Sequence, residues 1–318
     1  MDILVSGSIA YDYLMRFPGK FTDHILPDKL ENISLSFLVE SMIRRQGGTA
    51  PNIAYNMALL GCRPRLFATV GEDFDGYRQW LEQVGVDTSL VRVIPEVGTA
   101  SFFANTDRAN NQIASFYPGA MAHAAEMSIY DLDERHPDLV VISPTEPAAM
   151  DKLVRECREL FIPYVYDPSQ QIVRLEREEL RRGIQGARVM FANDYEFGLI
   201  QKHTGMSPAD VIEQVKLLVI TLGKRGSRIM IDGEEIEIPT FPESQIADPT
   251  GVGDAYRGGF LTGYSRGWDA RICGMIGSLC ATYCLEVHGP QAHQFTRREF
   301  IQRFRTSFDD EGLLTQLL

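Results

Sequence analysis

The sequence predicts an α/β protein with a mainly parallel central sheet that helices cover on both faces. Short apolar or β-branched segments recur along the chain, and such segments are typical of buried strands. Segments with helical periodicity alternate with them, as in right-handed βαβ units. The predicted strands cover residues 3–5, 65–70, 138–143, 164–167, 188–192 and 217–221, and the predicted helices include 51–60, 77–84 and 147–160. Near the C-terminal half, residues 228–238 predict a hairpin around Asp232-Gly233.

Two segments interrupt the alternation and predict a small second sheet. In residues 33–42 and 99–117, apolar and polar residues alternate with period two, and no helical pattern intervenes. We expect these segments to pair as antiparallel strands that stand off the main body as a lid. The chain is then a single domain, 1–318, with a discontinuous lid formed by about 12–46 and 98–120. The lid carries the aromatic side chains Phe37, Phe102, Phe103, Phe116 and Tyr117.

Charge and composition exclude several classes of partner. The 318 residues carry 31 basic and 43 acidic side chains, a formal net charge of −12. This balance argues against a non-specific grip on nucleic acid or on an anionic membrane, because both need clustered Lys and Arg. The most apolar run, 272–285, is shorter than the ~20 residues that a membrane span requires, so it predicts a buried helix. Five cysteines without CxxC spacing and an N-terminus without a signal-peptide pattern predict a cytoplasmic protein.

The strongest chemical signal is a glycine-rich turn that runs into a helix at residues 248–260. The free amides of Gly251, Val252 and Gly253 and the positive end of the helix dipole predict a cradle for a phosphate group. A carboxylate beside such a cradle is unfavourable unless it performs a task, such as deprotonating an attacking hydroxyl. Asp254 is therefore a candidate base, although an ordinary acidic residue in the first helical turn explains it equally well. Neither a Walker A loop nor a GxGxxG fingerprint is present.

A second glycine motif ends a predicted lid strand at residues 44–52. Gly47 and Gly48 allow a ligand to approach the backbone closely, and Pro51 lies in the first turn of the helix that follows. Asn52 faces this junction. Its side chain could bind a ligand hydroxyl or cap the turn, and the residues alone favour the cap.

These two motifs, at this separation, resemble the two signatures of the ribokinase (PfkB) family of carbohydrate and nucleoside kinases. Three further segments resemble family motifs and occur in the family's order along the chain: GSIAYD at 7–12, NDYE at 193–196 and TLGKRGS at 221–227. The resemblance covers the whole chain. It implies a ribokinase-like three-layer α/β/α fold with a small β-sheet lid, and transfer of the γ-phosphoryl group of ATP to an alcohol.

The resemblance also implies roles for individual residues. Asp254 is the catalytic base, and the amides of Gly251, Val252 and Gly253 form the anion hole for the transferring phosphoryl group. Asp12 binds substrate hydroxyls. The residues that complete the substrate site with it are Gly47, Gly48 and Asn52.

Cofactor positions follow from the same resemblance. Asn193 and Glu196 are expected to position Mg²⁺ and the nucleotide phosphates, Glu196 through water, since Mg²⁺ retains waters readily. The residues expected to hold ATP are Thr221, Gly223 and Gly226. The residues expected to bind a monovalent cation, usually K⁺, are Asp248 and Thr250, with backbone carbonyls of Val287 and Gly289.

Departures from the ribokinase pattern bear on the acceptor. Ala10, Thr49 and Ser143 stand roughly where ribokinases carry an Asn, a Lys and a Glu, and Pro249 and Val252 replace the Thr and Ala common in the base motif. These differences weaken the case for a free pentose. Residues 99–121 offer a single basic side chain, Arg108, which favours a neutral acceptor over a sugar phosphate.

The aromatic side chains of the lid favour a nucleoside as the acceptor. Phe102, Phe116 and Met121, with Phe37 and Tyr117, could sandwich a flat base, because stacking contributes ~1–3 kcal/mol per base in nucleic-acid sites. Residues 114–121 and 166–171 also resemble adenosine- or nucleoside-kinase members of the family. We therefore predict transfer to the 5′-hydroxyl of a nucleoside, with adenosine expected, by a monomer or a homodimer.

Three alternatives to this prediction stay open. The aromatic side chains could simply pack within the lid or form a lid-to-lid surface. The enzyme could be a sugar kinase for ribose, fructose or a related carbohydrate. In a different class, the chain could be a non-catalytic sugar- or nucleoside-binding regulator on the same scaffold.

Overall fold

The computed structural model describes residues 1–25, 31–32, 34–132 and 136–318 and confirms the predicted α/β class. The strands are β1 Ile3–Ser6, β2 Ala10–Arg16, β3 Ser41–Gly47, β4 Arg65–Phe67, β5 Thr69–Val70, β6 Arg92–Val93, β7 Ala100–Thr106, β8 Gln112–Tyr117, β9 Leu139–Ile142, β10 Tyr164–Tyr166, β11 Val189–Asn193, β12 Leu217–Thr221, β13 Ser227–Ile231 and β14 Glu234–Ile238. The α-helices are α1 Thr49–Leu59, α2 Asp75–Val84, α3 Pro147–Glu159, α4 Arg177–Ile184, α5 Asp194–Thr204, α6 Pro208–Gln214, α7 Val252–Ser265, α8 Ala270–Leu285 and α9 Arg297–Phe304. Short 3-10 helices cover Phe21–Asp23, Glu72–Phe74, Gly119–Glu126, Ile129–Asp131, Ser169–Val173, Gly223–Arg225 and Leu313–Leu317.

The large sheet has eight strands in the described residues, in the order β14-β13-β12-β11-β10-β9-β1-β4. The six strands from β12 to β4 run parallel, and β13 and β14 add an antiparallel hairpin at one edge. That hairpin was predicted, and Asp232 and Gly233 form its turn at positive φ. The chain crosses from β1 to β4 on one side and later returns to β9 on the other. Ligands of open α/β sheets bind at such a switch point, outside the carboxyl ends of the strands.

Two hydrophobic cores form because side chains of a strand point alternately to the two faces of the sheet. On β1, Ile3 and Val5 pack with side chains of α1, α2 and α7. Leu4 points to the other face and packs with side chains of α3, α4, α5 and α6. The strands β1, β9, β10, β11 and β12 are buried almost completely on both faces, which is why they appear in the sequence as short, largely apolar runs.

The predicted lid is a four-stranded sheet in the order β3-β2-β7-β8. The prediction of antiparallel strands in residues 99–117 is confirmed by β7 and β8. The strand predicted at 33–42 is displaced: pairing begins at Ser41 and continues to Gly47, residues 34–40 form no strand, and Ile33 lies outside the described residues. The central strand β2 was not predicted, because its residues run AYDYLMR with no strict alternation.

The predicted buried helix at 272–285 is confirmed as α8, which packs along α7 more extensively than any other pair of helices in the described residues. Small residues permit this contact: a Cβ atom on Gly259 would lie 2.8 Å from both the Sγ of Cys280 and the carbonyl oxygen of Ile276. The N-terminus of α7 is thereby held against the main body. None of the helices in the described part of the chain has the length and apolar character of a membrane span.

We predict that Gly259→Ala separates α7 from α8 and destabilises the protein by about 1–3 kcal/mol, the usual cost of overpacking. Gly198→Ala is the matched control. Gly198 is exposed in the middle of α5, and nothing lies within 4 Å of the added Cβ, so this change should stabilise the protein by about 0.5–1 kcal/mol. Urea unfolding measures both effects, and a similar loss for the two variants would contradict the packing argument.

Candidate active site

The glycine-rich turn leads into α7 at the carboxyl ends of the parallel strands. Gly251 precedes the helix with φ +78°, and a Cβ there would lie 2.3 Å from the Cβ of Pro290. Only glycine fits both constraints. The first N–H groups of a helix have no intrahelical acceptor. The amide of Val252 makes a long bond of 3.4 Å to the carbonyl oxygen of Pro249, while the amide of Gly253 has no acceptor in the described residues and could face an anion.

Asp254 lies in the first turn of α7 beside these amides. Its Oδ2 accepts a hydrogen bond of 2.9 Å from Nδ2 of Asn52 on α1. Burial raises the pKa of Asp254 to about 7, although the charge of Arg257 and the bond from Asn52 oppose this change. A carboxylate that titrates near neutral pH is suited to take a proton from a hydroxyl group.

A buried hydrogen-bond network fixes the side chain of Asn52. Its Oδ1 accepts a bond of 2.9 Å from Nε2 of Gln291, which also donates to the hydroxyl of Tyr77. Tyr77 in turn donates to the carbonyl oxygen of Gly47, and Trp80 donates to Oε1 of Gln291. Because Oδ1 is engaged, Nδ2 must face Asp254. The sequence predicted Asn52 but missed Gln291 and Tyr77, which are far from it along the chain.

Four side chains form a row across the lid. Asp12 on β2 is directly paired with Arg45 on β3 and with Phe102 on β7, and Phe102 is paired with Phe116 on β8. Directly paired residues lie on the same face of a sheet. The structure thus brings together Asp12, Phe102 and Phe116, which were predicted as substrate residues, and adds Arg45, which was not.

Asp12 lies between Arg45 and Phe102 in this row. Burial raises the pKa of its carboxyl to about 6, the charge of Arg45 lowers it, and the charge of Asp248 raises it. A Cβ on Gly47 would lie 2.7 Å from Oδ2 of Asp12, so the glycine leaves room for the carboxylate. The neighbouring Gly48 has φ +95°, and a Cβ there would lie 2.4 Å from the carbonyl oxygen of Ser8.

Several lid side chains lie elsewhere than predicted. Phe103 is on the opposite face from Phe102, where its ring stacks on Tyr13 with centroids 4.8 Å apart, and Tyr117 shares that opposite face. Phe37 packs in an aromatic cluster with Phe17, Phe21 and His24. The expectation that Phe37 and Tyr117 join the stacking surface is therefore wrong, because composition does not reveal which face of a strand a side chain takes.

Met121 lies at the base of the lid. Its side chain is only 3% exposed and packs against Ala10 and Ala100. These two residues precede Asp12 and Phe102 by two positions on β2 and β7, so Met121 lies on the same face of the lid as the row from Asp12 to Phe116, next to its base.

The residues expected to hold the nucleotide lie at the ends of neighbouring strands. Asn193 ends β11 and is directly paired with Thr221 at the end of β12. Asn193 and Glu196 form a capping box on α5, with bonds of 2.7 and 2.8 Å, and the other Glu196 oxygen accepts a bond from Ser169. After Thr221, Gly223 and Gly226 turn the chain at positive φ, and a Cβ on Gly226 would lie 2.0 Å from a carbonyl oxygen.

Two residues of the loop assigned by resemblance to a monovalent cation, Asp248 and Gly289, lie against the side chain of Arg45. Oδ2 of Asp248 accepts a bond of 3.0 Å from Nη1 of Arg45, and its Oδ1 accepts from the backbone amide of Thr250. A Cβ on Gly289, at φ +109°, would lie 3.3 Å from Arg45. Val287 precedes this turn after α8. The carboxylate of Asp248 thus already holds a positive charge, which the lid supplies.

Thr49 and Ser143, which stand roughly where ribokinases carry charged side chains, lie together near the switch point of the sheet. Oγ1 of Thr49 lies 3.0 Å from Oγ of Ser143 and 3.4 Å from Oγ of Ser8. Ser143 also donates to the carbonyl oxygen of Ser6. The positions where ribokinases roughly have a Lys and a Glu therefore pair here as two small neutral side chains.

The fold and this arrangement define a class, the α/β phosphotransferases in which a helix N-terminus and a carboxylate meet beneath a β-sheet lid. The sequence model of the pfkB family carbohydrate kinases matches residues 11–296, so the chain belongs to that family. It is 30% identical over 299 residues to a nucleoside kinase of Methanocaldococcus jannaschii, covering 93% of this chain and 94% of that protein.

Comparison with solved structures also finds nucleoside kinases. The nucleoside kinase of Burkholderia thailandensis in complex with inosine matches with a TM-score of 0.85 and 36% identity, covering 96% of this chain and 98% of that one. Its complex described as ADP-inosine matches with a TM-score of 0.83 and 37% identity, covering 96% of both chains. The ribokinase-like fold and a phosphotransferase acting on an alcohol group are therefore confirmed.

The raised pKa of Asp254 predicts how its removal affects stability. Because the folded carboxyl binds its proton more tightly than the unfolded one, whose pKa is 3.8, stability falls as pH rises from about 4 through about 7. Asp254→Asn removes the group whose ionisation causes this loss of stability. It should stabilise the protein by about 2–4 kcal/mol at about pH 8 and by little at about pH 4, as measured by urea unfolding.

Asp210→Asn is the control for this measurement. Capping bonds from Ser207 lower the pKa of Asp210, so its ionised form stabilises the folded state above about pH 4 and that contribution is lost in acid. The Asn variant should therefore be destabilised at about pH 8 and not in acid. The same pH dependence in both variants would contradict the assignment for Asp254.

Proposed function

We propose that the protein is an ATP-dependent nucleoside kinase that transfers the γ-phosphoryl group to the 5′-hydroxyl, with adenosine as the expected acceptor. The observation that carries this proposal is the row of Asp12, Phe102 and Phe116 on one lid face. It combines a carboxylate for the ribose hydroxyls with two rings for a base. The nucleoside kinase relatives and the inosine complexes support the same acceptor class.

In the proposed reaction, the chain's own groups orient the acceptor and move its proton. Asp12 accepts hydrogen bonds from ribose hydroxyls, and Phe102 and Phe116 stack on the base. Asp254 takes the proton of the 5′-hydroxyl as its oxygen attacks the γ-phosphorus of ATP. The bond to the bridging oxygen breaks, ADP leaves, and the amides of Gly251, Val252 and Gly253 stabilise the charge of the transferring group.

The nucleotide is proposed to lie along the ends of β11 and β12, against Thr221, Gly223 and Gly226. When bound, Mg²⁺ would neutralise phosphate charge there. Glu196 and Asn193 fit a role through water, because both Glu196 oxygens already accept bonds from the chain.

The proposed monovalent-cation site consists of Asp248, Thr250, Val287 and Gly289. The ion pair of 3.0 Å between Arg45 and Asp248 supports this proposal, because it places a positive charge on that carboxylate. K⁺ would replace Arg45 or share the carboxylate with it, and it would stabilise the loop that leads into the anion hole.

The decisive experiment measures ADP release with Mg-ATP and K⁺ on adenosine, inosine, cytidine, ribose, fructose and fructose phosphates at equal concentrations. Nucleosides should give the highest kcat/KM. Asp254→Asn should lower kcat by about 10²–10⁴-fold, the usual contribution of a general base, and leave the Kd of ATP nearly unchanged. Preference for a free sugar would refute the nucleoside assignment, and absence of turnover on every acceptor would favour a binding protein.

The two faces of β7 and β8 provide a matched test of base stacking. Phe116 lies in the row and its side chain is 49% exposed, so Phe116→Ala should raise the acceptor KM by about 5–100-fold with little change in kcat. Phe103→Ala removes an exposed ring from the opposite face and should leave KM unchanged. Equal effects of the two variants would show that the rings only pack the lid.

A further inference from the structure

We propose that Arg257 is a further catalytic residue, whose Nη1 contacts the transferring phosphoryl group and stabilises its charge in the transition state. The inference rests on the proposed kinase function and adds a side-chain cation to an anion hole that otherwise consists of backbone amides. Four observations carry it: the position of Arg257 on α7, its ion pair with Asp167, the direction of its third nitrogen and its burial.

Arg257 lies three residues after Asp254, on the same side of α7, because residues at i and i+3 are neighbours on a helix surface. The charges of the two side chains act on each other: Arg257 lowers the pKa of Asp254 and Asp254 raises that of Arg257. The guanidinium therefore lies close to the carboxylate that is proposed to take the proton.

Asp167, just after β10, fixes the guanidinium in place. Nη2 of Arg257 donates to Oδ1 of Asp167 over 2.8 Å, and Nε is in ion-pair contact with Oδ2 without a hydrogen bond. The two contacts lie on one edge of the planar group and set its orientation.

The remaining nitrogen, Nη1, is directed to the anion hole. A Cβ on Gly253 would lie 2.8 Å from Nη1, so this nitrogen lies against the turn whose amides bind the phosphoryl group. Within the part of the chain that the structure describes, Nη1 makes no hydrogen bond or ion pair. An oxygen of the transferring group would provide its acceptor.

The burial of this arginine requires an explanation. Only 7% of the side chain of Arg257 and 2% of that of Asp167 are exposed. A buried ion pair contributes little net stability, because desolvation of the two charges offsets their attraction. Asp254 and Glu196 add negative charge nearby, and ATP brings more. A preorganised cation at this point stabilises the charge that spreads over the phosphoryl oxygens in the transition state.

The competing explanation is that Arg257 only neutralises Asp167. Arg257→Met alone cannot distinguish the two explanations, because it leaves the buried carboxylate of Asp167 without its partner and destabilises the fold. The double variant Arg257→Met with Asp167→Asn removes both charges, so its Tm should recover towards that of the wild-type protein. If Arg257 contacts the phosphoryl group, kcat of the double variant stays about 10²–10³-fold low, while acceptor KM and the Kd of ATP change little.

Each measurement is made on the high-pH plateau of activity, at about pH 9, because loss of Arg257 also raises the pKa of Asp254. Recovery of kcat in the double variant, or at high pH in either variant, would overturn the proposal. Arg305→Met is the matched control. Arg305 lies far along the chain from Arg257 and forms a bidentate pair with the buried Asp310. Loss of Arg305 should lower Tm without lowering kcat.

A binding measurement separates this inference from the proposed acceptor. ADP with aluminium fluoride imitates the transferring phosphoryl group and requires no turnover. Calorimetry should show that aluminium fluoride tightens ADP binding in the wild-type protein and in Arg305→Met, and tightens it at least tenfold less in the double variant. If the double variant gains as much as the wild-type protein, Arg257 does not contact the group, whichever acceptor the enzyme prefers.

Discussion

The hydrogen bond from Asn52 to Asp254 joins the two glycine motifs, and the rest of the site depends on it. It requires α1 and α7 to approach closely, which Gly258 permits, since a Cβ there would lie 2.6 Å from the carbonyl oxygen of Ile53. Gln291 then orients the amide of Asn52 so that it donates to Asp254. The bond holds the carboxylate in place. It also acts with the charge of Arg257 to oppose part of the rise in pKa that burial causes.

Charge in the site follows a regular arrangement. Two carboxylates, Asp12 and Asp254, titrate at raised pKa because burial disfavours their ionised forms. Each has an arginine close by that opposes this effect, Arg45 and Arg257 respectively, and each arginine is also held by a further aspartate. The proposed acceptor end and the proposed phosphoryl end therefore share one arrangement, in which a fixed guanidinium opposes the rise in pKa that burial gives the nearby carboxyl group.

Sequence reasoning succeeded where the signal is local. The buried strands of the large sheet, the hairpin at Asp232-Gly233 and the turn before α7 depend on neighbouring residues, and the structure contains them. It failed where a contact joins distant segments: no spacing links Gln291 to Asn52, or Arg45 to Asp248. It also failed for Phe37, because an aromatic side chain carries no information about the face it takes until the register of the strand is known. Arg257 could have been found, since a charged residue among small and apolar ones on α7 is unusual in a buried helix.

The register between the lid strands β7 and β8 therefore determines which side chains face the proposed acceptor. A shift of one residue between β7 and β8 would exchange Phe116 for a neighbour on the opposite face and remove a ring from the row. The turn between these strands prevents this shift. The buried carboxylate of Asp107 accepts bonds from the backbone amides of Ala109 and Asn111 within the turn and from Phe21 outside it. The proposed recognition of the acceptor would therefore also depend on Asp107, which lies outside the row of Asp12, Phe102 and Phe116 and fixes which side chains the lid presents.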